Sequence, residues 1–251
     1  MSGQPRPLGW YFPDAGDPQA PADAAVVTPT LLRPHLVGAL ESIYGQQGVG
    51  RIQVLLGVDR GIGDPAPIQA AIDRRPAHVS VSVVSLPYST SAQRGGVHPA
   101  VDGGSLRSML SFMANSRHVA YLDDDNAWEP DHLASLLAAV QGRYWAHSMR
   151  LLVDEETGEE LAVDRWDSTG VGSGRFASQG GMVDPNCLMI DKVLAGRPLG
   201  RWSEGPDWRA DRTFFEGIKD LPHGMVPRAT VRYRLKAKHV LRDFIRDGVE
   251  F

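Results

Sequence analysis

The sequence predicts an α/β fold in which one mostly parallel sheet carries helices on both faces. Short apolar runs typical of buried strands alternate with stretches whose apolar residues fall at helical spacing. The order β-α-β-α-β-α-β in the first half favours parallel strands joined by helical crossovers. Three consecutive carboxylates, Asp123, Asp124 and Asp125, follow one predicted strand. In such sheets ligands bind at the carboxyl ends of the strands.

The composition is ordinary for a soluble globular protein. The chain has 251 residues, of which 22% are charged and 42% hydrophobic, and this length can bury a full core. The single cysteine, Cys187, excludes an intramolecular disulfide framework and a cysteine-rich zinc site. A reducing compartment fits this cysteine content.

The charge pattern gives no bulk attraction to nucleic acid or to an anionic membrane. The formal net charge is -4 at pH 7, although the last third is locally basic and leaves peripheral membrane contact open. No apolar run approaches the ~18 residues of a membrane span, and residues 1–17 lack the regions of a signal peptide. We therefore expect a cytoplasmic protein with no transmembrane segment and no nucleic-acid partner.

The chain divides into a short arm and one domain. Residues 1–23 contain five prolines and little periodic pattern, which predicts an irregular arm. Residues 24–251 show no internal repeat, low-complexity tract or linker, so the sequence predicts a single domain there.

The first half of that domain has the pattern of four strands joined by amphipathic helices. The predicted strands are residues 24–27, 52–58, 78–84 and 119–122. Apolar residues at helical spacing predict the helices: Leu36, Ala39, Leu40 and Ile43; residues 68–73; Leu106, Met109, Leu110 and Met113; and Leu133, Leu136, Leu137 and Val140. Glycine and serine in residues 89–104 predict a loop, which contains Arg94.

The second half has a different pattern. Residues 144–153 and 160–166 predict a hairpin, and residues 187–190 a short buried strand. The five glycines of residues 169–181 predict a mobile loop that could serve as a lid. A helix over residues 208–218 follows, and then a basic strand from residue 228 and a helix that carries Leu241, Phe244 and Ile245.

The three adjacent acids indicate a cation site. Asp123, Asp124 and Asp125 repel one another unless something positive joins them, and a divalent cation that bridges carboxylates to phosphates is a common partner. The alternative is that these acids only form a turn or cap the next helix, as Asp often does. Mutual repulsion makes three in a row a poor choice for capping alone, so we favour a site for a metal and a phosphate.

Several common nucleotide and catalytic motifs are absent from the sequence. The first strand is followed by Thr28-Pro29-Thr30, where a dinucleotide-binding turn requires glycine. The chain has no phosphate-binding loop with its lysine, no glycine-flanked nucleophilic serine and no H-E-x-x-H pair. These absences argue against hydride transfer, ATP hydrolysis and catalysis by a nucleophilic serine. The reaction class that remains is a metal-assisted transfer from a nucleotide.

The motifs resemble those of the nucleotide-diphospho-sugar glycosyltransferases of the GT-A fold, especially family 2. The matching segments are Val27-Thr28-Pro29-Thr30, Val58-Asp59, Asp123-Asp124-Asp125 and Pro206-Asp207-Trp208. The resemblance covers roughly residues 24–218. It implies a GT-A type (Rossmann-like) domain with a nucleotide-binding half over residues 24–141 and an acceptor half over residues 142–251.

The resemblance also implies a binding site for UDP or a UDP-sugar. Thr28, Pro29 and Thr30 would border the uracil and ribose. Asp59 would accept a hydrogen bond from the base, and Arg94 would lie near the base or the diphosphate. Among the three acids, Asp124 would hold the ribose, and Asp123 would assist through a water molecule.

The remaining implied residues concern the metal and the acceptor. Asp125 would bind Mn²⁺ or Mg²⁺, which neutralises the leaving diphosphate, and His239 or His223 would complete the metal site. Asp207 would be the general base that deprotonates an unknown hydroxyl acceptor. The family often has Glu before this Asp, whereas this chain has Pro206. The alternative role for Asp207 is a helix cap.

Two other functions remain open. A phosphohydrolase would use Asp123 as the nucleophile and Asp125 as the acid/base, although Ala127 replaces the expected Thr or Val and the motif lies mid-chain. A UDP-binding or regulatory protein of the same fold would lack transfer activity, because a fold does not fix a function.

Overall fold

The computed structural model describes residues 9–61, 63–101, 103–164, 182–205 and 209–248. The glycine-rich segment 169–181 and Asp207, both given roles above, lie outside these ranges. In the described part of the chain, no helix is long and apolar enough to cross a membrane.

The strands form one mixed sheet. Ten strands are described: β1 (Gly9–Phe12), β2 (Ala24–Thr30), β3 (Ile52–Val58), β4 (Val79–Ser85), β5 (His118–Tyr121), β6 (Ala127–Trp128), β7 (Trp145–Asp154), β8 (Glu160–Asp164), β9 (Leu188–Asp191) and β10 (His223–Leu235). Their order is β1-β4-β3-β2-β5-β9-β7-β10-β6, and β8 pairs with β7.

The centre of the sheet is parallel, as predicted. β4, β3, β2 and β5 lie side by side in parallel register, with Thr30 opposite Val58 and Val27 opposite Tyr121. Their carboxyl ends therefore meet at one edge. β7 and β10 are parallel to each other, and β9 runs antiparallel between β5 and β7. Through β9, the second half of the chain is joined directly to the strand that precedes the three acids.

Six α-helices are described: α1 (Leu36–Tyr44), α2 (Pro65–Asp73), α3 (Gly104–Met113), α4 (His132–Ala139), α5 (Ala210–Ile218) and α6 (Val240–Arg246). The four predicted apolar residues of α1 are all buried. In α3 the prediction was wrong at Met113, which is exposed. Arg107 and Ser111 instead join Leu106 and Leu110 on the buried face, because this face lies against a polar site.

The prediction for the amino-terminal arm was wrong at Gly9–Phe12, which pairs antiparallel with β4. The sequence signal was weak because three of the four residues of this edge strand are exposed. The first predicted strand is also longer than expected. It continues through Pro29, which pairs with Gly57, so the strand delivers Thr30 to the carboxyl edge.

Aromatic packing holds α3 and α5 against the sheet, close to the carboxyl ends of the parallel strands. Tyr121, at the end of β5, lies 4.8 Å from Trp202 between ring centroids, and Trp202 stacks on Phe214 of α5 at 4.0 Å. All three side chains are buried. Fully burying such large side chains stabilises the folded state by about 1.5–3 kcal/mol each. The packing also brings the start of α3 close to the 3-10 helical segment Arg197–Ser203.

We predict that Gly104→Ala destabilises this packing. A Cβ at Gly104 would lie 2.0 Å from the carbonyl oxygen of Trp202 and 3.1 Å from the Cβ of Ala210. Forced overpacking of this kind costs about 1–3 kcal/mol, which chemical denaturation would measure as a lower free energy of unfolding. Gly200→Ala is the matched control, because nothing lies within 4 Å of its added Cβ. Equal stability of the two variants would contradict the prediction.

Candidate functional site

A polar cleft lies at the carboxyl edge of the parallel strands. Its volume is about 260 Å³. Residues from β2, the loops after β2, β3, β4 and β5, the start of α3 and the end of β10 line it: Pro29, Thr30, Leu31, Arg33, Asp59, Arg94, Val101, Gly103, Arg107, Asp123, Asp124, Asp125 and Tyr233. The fold thus brings together seven of the residues that the sequence assigned to a site.

Asp59 anchors the loop after β4. Its Oδ2 accepts a hydrogen bond from Ser89 Oγ at 2.8 Å, and its Oδ1 accepts one from the Thr90 amide at 2.7 Å. Arg94 Nη1 lies 3.9 Å from Asp59 Oδ2. The buried carboxylate therefore holds in place the loop that carries Arg94, and it also lines the cleft.

Asp124 is the most buried of the three acids. Thr30 Oγ1 donates to Asp124 Oδ2 at 2.7 Å, and Arg33 Nη2 donates to Asp124 Oδ1. Thr30 Oγ1 in turn accepts the amide of Leu32 at 2.9 Å. The end of β2 and the loop after β5 are therefore joined by a threonine hydroxyl and an arginine.

Asp123 is held from two sides. Arg107 Nη2 donates to Asp123 Oδ1, and Asn186 Nδ2 donates to Asp123 Oδ2 at 2.9 Å. The Arg107 guanidinium also lies 5.4 Å from the centroid of the Trp202 ring, a distance suited to a cation–π interaction. Both carboxylate oxygens of Asp123 thus have donors.

Asp125 is the acid with the weakest contacts to cations. Arg33 Nη1 lies 3.3 Å and Lys236 Nζ 3.8 Å from Asp125 Oδ2. Burial raises the pKa of Asp125, and the neighbouring carboxylates of Asp123 and Asp124 raise it further, against the lowering effect of the two cations. The cleft therefore disfavours the Asp125 charge unless an additional positive charge approaches it.

Two sequence-predicted residues stand apart from the cleft. Thr28 is buried in β2 and is not among the described residues that line the cleft; within the described ranges its hydroxyl has no hydrogen-bond partner. Thr28 lies two residues before Thr30 on the same face of β2, and is therefore set back from the carboxyl edge where the cleft lies; its assignment to the nucleotide site stays a prediction. His223 stacks on Trp145 at 4.5 Å, at the opposite end of β10 from Tyr233.

His239 lies near the cleft but has a local structural role. Its Nδ1 accepts the amide of Leu241 at 3.2 Å and so caps α6. Its ring centroid is 6.2 Å from that of Tyr233, which lines the cleft. Burial lowers the pKa of His239, and nearby Arg150 lowers it further. Among the described residues, no group of three His, Cys, Asp or Glu side chains is arranged to hold a metal.

Four cationic or polar residues of the site were not predicted from the sequence: Arg33, Arg107, Asn186 and Lys236. Arg107 borders the apolar face predicted for α3 and does not interrupt it, so the sequence pattern does not mark it as buried. Arg33 follows Thr30 by three residues at the carboxyl end of a strand, where polar residues indicate a ligand site. Asn186 and Lys236 come from distant segments, and nothing local in the sequence marks them.

Comparison with known proteins identifies the fold. No protein-family model matches the sequence, and no curated protein matches it. Solved structures do match. TarS residues 1–349 of S. aureus align with a TM-score of 0.63 at 12% identity over 84% of this chain and 60% of the TarS chain. The same TarS segment in complex with UDP aligns at 0.62 and 13% identity, covering 85% and 61%.

A third TarS structure, in complex with UDP-GlcNAc, has a TM-score of 0.61 at 12% identity and covers 88% of this chain. The chain therefore shares the fold of these TarS structures. This confirms the predicted α/β architecture of one mostly parallel sheet flanked by helices. The chain spans about 60% of the length of these TarS chains.

We predict that Asp59→Ala releases the loop after β4, whereas Asp59→Asn largely retains it. Alanine leaves Ser89 Oγ and the Thr90 amide without their acceptor. Asparagine keeps one acceptor for the amide, and its NH₂ can donate to the serine oxygen. The expected loss of stability is about 1–3 kcal/mol for alanine and less for asparagine.

Amide hydrogen exchange tests this anchoring directly. Exchange at Thr90 should become faster in Asp59→Ala and stay close to the parent rate in Asp59→Asn. Similar exchange in the parent and Asp59→Ala would show that the loop does not depend on this carboxylate.

Proposed function

We propose that the chain is a metal-dependent glycosyltransferase that transfers a sugar from a UDP-sugar to a hydroxyl acceptor. The observation that carries the proposal is the cleft itself, where Asp59, Arg94 and the three acids Asp123, Asp124 and Asp125 meet at the carboxyl edge of the parallel strands. The TarS structures support the choice of ligand, because TarS was crystallised with UDP and with UDP-GlcNAc.

The uridine is proposed to bind between β2 and the loop after β4. Pro29 lines the cleft and offers an apolar surface to the base. Asp59 and Arg94 lie beside it and supply an acceptor and a cationic donor. Asp124 is proposed to accept a hydrogen bond from a ribose hydroxyl, and Thr30 keeps its carboxylate oriented.

The metal is proposed to bind at Asp125. Its carboxylate faces the cleft, and burial beside two further carboxylates raises its pKa, so a divalent cation would favour the charged form. Mg²⁺ commonly uses one or two protein carboxylates together with substrate phosphates, and Mn²⁺ also suits oxygen ligands. When bound, the metal would neutralise the diphosphate as it leaves. His239 stays a candidate second ligand through its Nε2.

The cations of the cleft are proposed to assist the nucleotide. Arg33 and Lys236 lie beside Asp125, and either side chain can reach toward phosphate oxygens as these enter. Preorganised positive groups of this kind stabilise the charge that develops on a leaving diphosphate. Asp207 remains the proposed general base for the acceptor hydroxyl, on the strength of the sequence resemblance.

The two alternative functions, a phosphohydrolase and a nucleotide-binding protein without transfer activity, differ in how well they fit the cleft. As a phosphohydrolase nucleophile Asp123 is poorly suited, because both its oxygens accept hydrogen bonds from Arg107 and Asn186. A nucleotide-binding protein without transfer activity uses the same cleft, and Pro206, in place of the family's usual Glu, is the specific feature that favours it.

We predict that UDP binds, and that Mn²⁺ or Mg²⁺ strengthens the binding. Isothermal titration of UDP into the protein, first with Mn²⁺ and then with chelator, measures both effects. ADP is the matched control, since its base presents a different hydrogen-bonding edge to Asp59. Equal UDP affinity with metal and with chelator would remove the metal from the proposal, and equal affinity for ADP would remove the base contact.

We predict that Asp207→Asn lowers sugar transfer, or UDP-GlcNAc hydrolysis, by about 10²- to 10⁴-fold, the usual contribution of a positioned base. UDP affinity should stay within about twofold, because the change removes the charge without changing the shape of the side chain. If Asp207 only caps a helix, Asn replaces it with little change in stability or turnover. Parent-like turnover in this variant would contradict its role as the base.

A further inference from the structure

Asn186 joins the second half of the chain to the first of the three acids. Its Nδ2 donates to Asp123 Oδ2 at 2.9 Å, and its Oδ1 accepts the Asp123 amide at 2.7 Å. One side-chain amide therefore contacts both the backbone and the side chain of the same residue, 63 positions earlier in the chain. Two such bonds fix the direction in which Asp123 points and the path of the backbone that leads to Asp124.

The other atoms of Asn186 are also bonded, so its side chain is held in one orientation. Its Nδ2 and its backbone amide donate to Asp184 Oδ1 at 2.6 and 2.9 Å, and its carbonyl oxygen accepts the Trp128 indole N–H at 2.9 Å. The residue is completely buried. Asp184 is itself paired with the buried guanidinium of Arg150, which also lies 4.4 Å from the Tyr233 ring centroid.

Only a neutral amide suits this position. The NH₂ group lies between the carboxylates of Asp123 and Asp184 and donates to both. Aspartate has the same shape, but it would place a third carboxylate within hydrogen-bond distance of those two. Like charges at such distances in a buried site are strongly unfavourable. Leucine has a similar volume but would leave the partly buried Asp123 amide without its acceptor.

We propose that Asn186 is a positioning residue for the nucleotide and metal site. It sets the conformation of Asp123 and, through the backbone, the direction of Asp124 and Asp125. The inference rests on the proposed function, because it assumes that these acids bind UDP and a metal. Asp184 accepts hydrogen bonds from Asn186 and is paired with Arg150. The Arg150 guanidinium also packs on Tyr233, which lines the cleft.

The test compares Asn186→Leu and Asn186→Asp with the parent protein. Titration of UDP in Mn²⁺ should show a dissociation constant about 10- to 100-fold higher for both variants, the usual effect of losing a residue that orients metal ligands. Gln46→Met is the matched control. Gln46 is also a buried amide with several bonds, to Ser42, Glu129 and Leu133, but it holds the start of α4. Its loss should lower the thermal midpoint without changing the UDP affinity.

A crystal structure of Asn186→Leu gives a second measurement that needs no ligand. Residues 122–125 should shift, and Asp123 should lose its contact with Arg107. Parent-like affinity for UDP in folded Asn186→Leu would overturn the inference, and so would an unmoved Asp123 in the crystal. If the parent itself does not bind UDP, the proposed function fails, and the crystal structure alone decides whether Asn186 positions the acids.

Discussion

Repulsion among three adjacent carboxylates is the constraint on which the rest of the site depends. Asp123, Asp124 and Asp125 occupy one turn at a strand end, and water is largely excluded from the second of them. Such a turn is stable only when donors surround it, because charged groups in a low-dielectric site cost several kcal/mol when left unpaired. The chain supplies those donors from different segments, with Arg107 on the first acid and Arg33 on the second.

The three acids are not equivalent in their surroundings. The first two are hydrogen-bonded by arginine and by a neutral side chain, Asn186 or Thr30, which leaves them little freedom to move. Asp125 has longer contacts with cations and a raised pKa. Under the proposed function, this difference would direct an incoming cation to the third acid, while the first two keep the turn in shape. The proposed division between ribose and metal follows from that difference in pairing.

The sheet explains why such distant residues meet. Parallel strands end at a common edge, so Thr30, Asp59 and the acids come together without any special loop geometry. The antiparallel strand β9 then places part of the second half beside β5, and Asn186, two residues before β9, reaches Asp123. Fold similarity to TarS at 12% identity shows that the architecture tolerates nearly complete change of sequence. The function must therefore be inferred from the residues of the site, because the fold alone does not determine it.

Local patterns in the sequence determined most of the strands and helices, since burial on one face imposes a period of two or of 3.6 residues. They also placed the acids and Asp59 at strand ends, because strand ends are readable from apolar runs, whereas Arg94 was assigned through the family resemblance. Tertiary structure alone decided which hydrogen-bond donors pair with the acids. Arg33 lies 91 residues from Asp124, and Asn186 lies 63 from Asp123. It also decided that Thr30 reaches the carboxyl edge while Thr28 lies two residues behind it, because the end of β2 is set by its pairing with β3 as far as Val58.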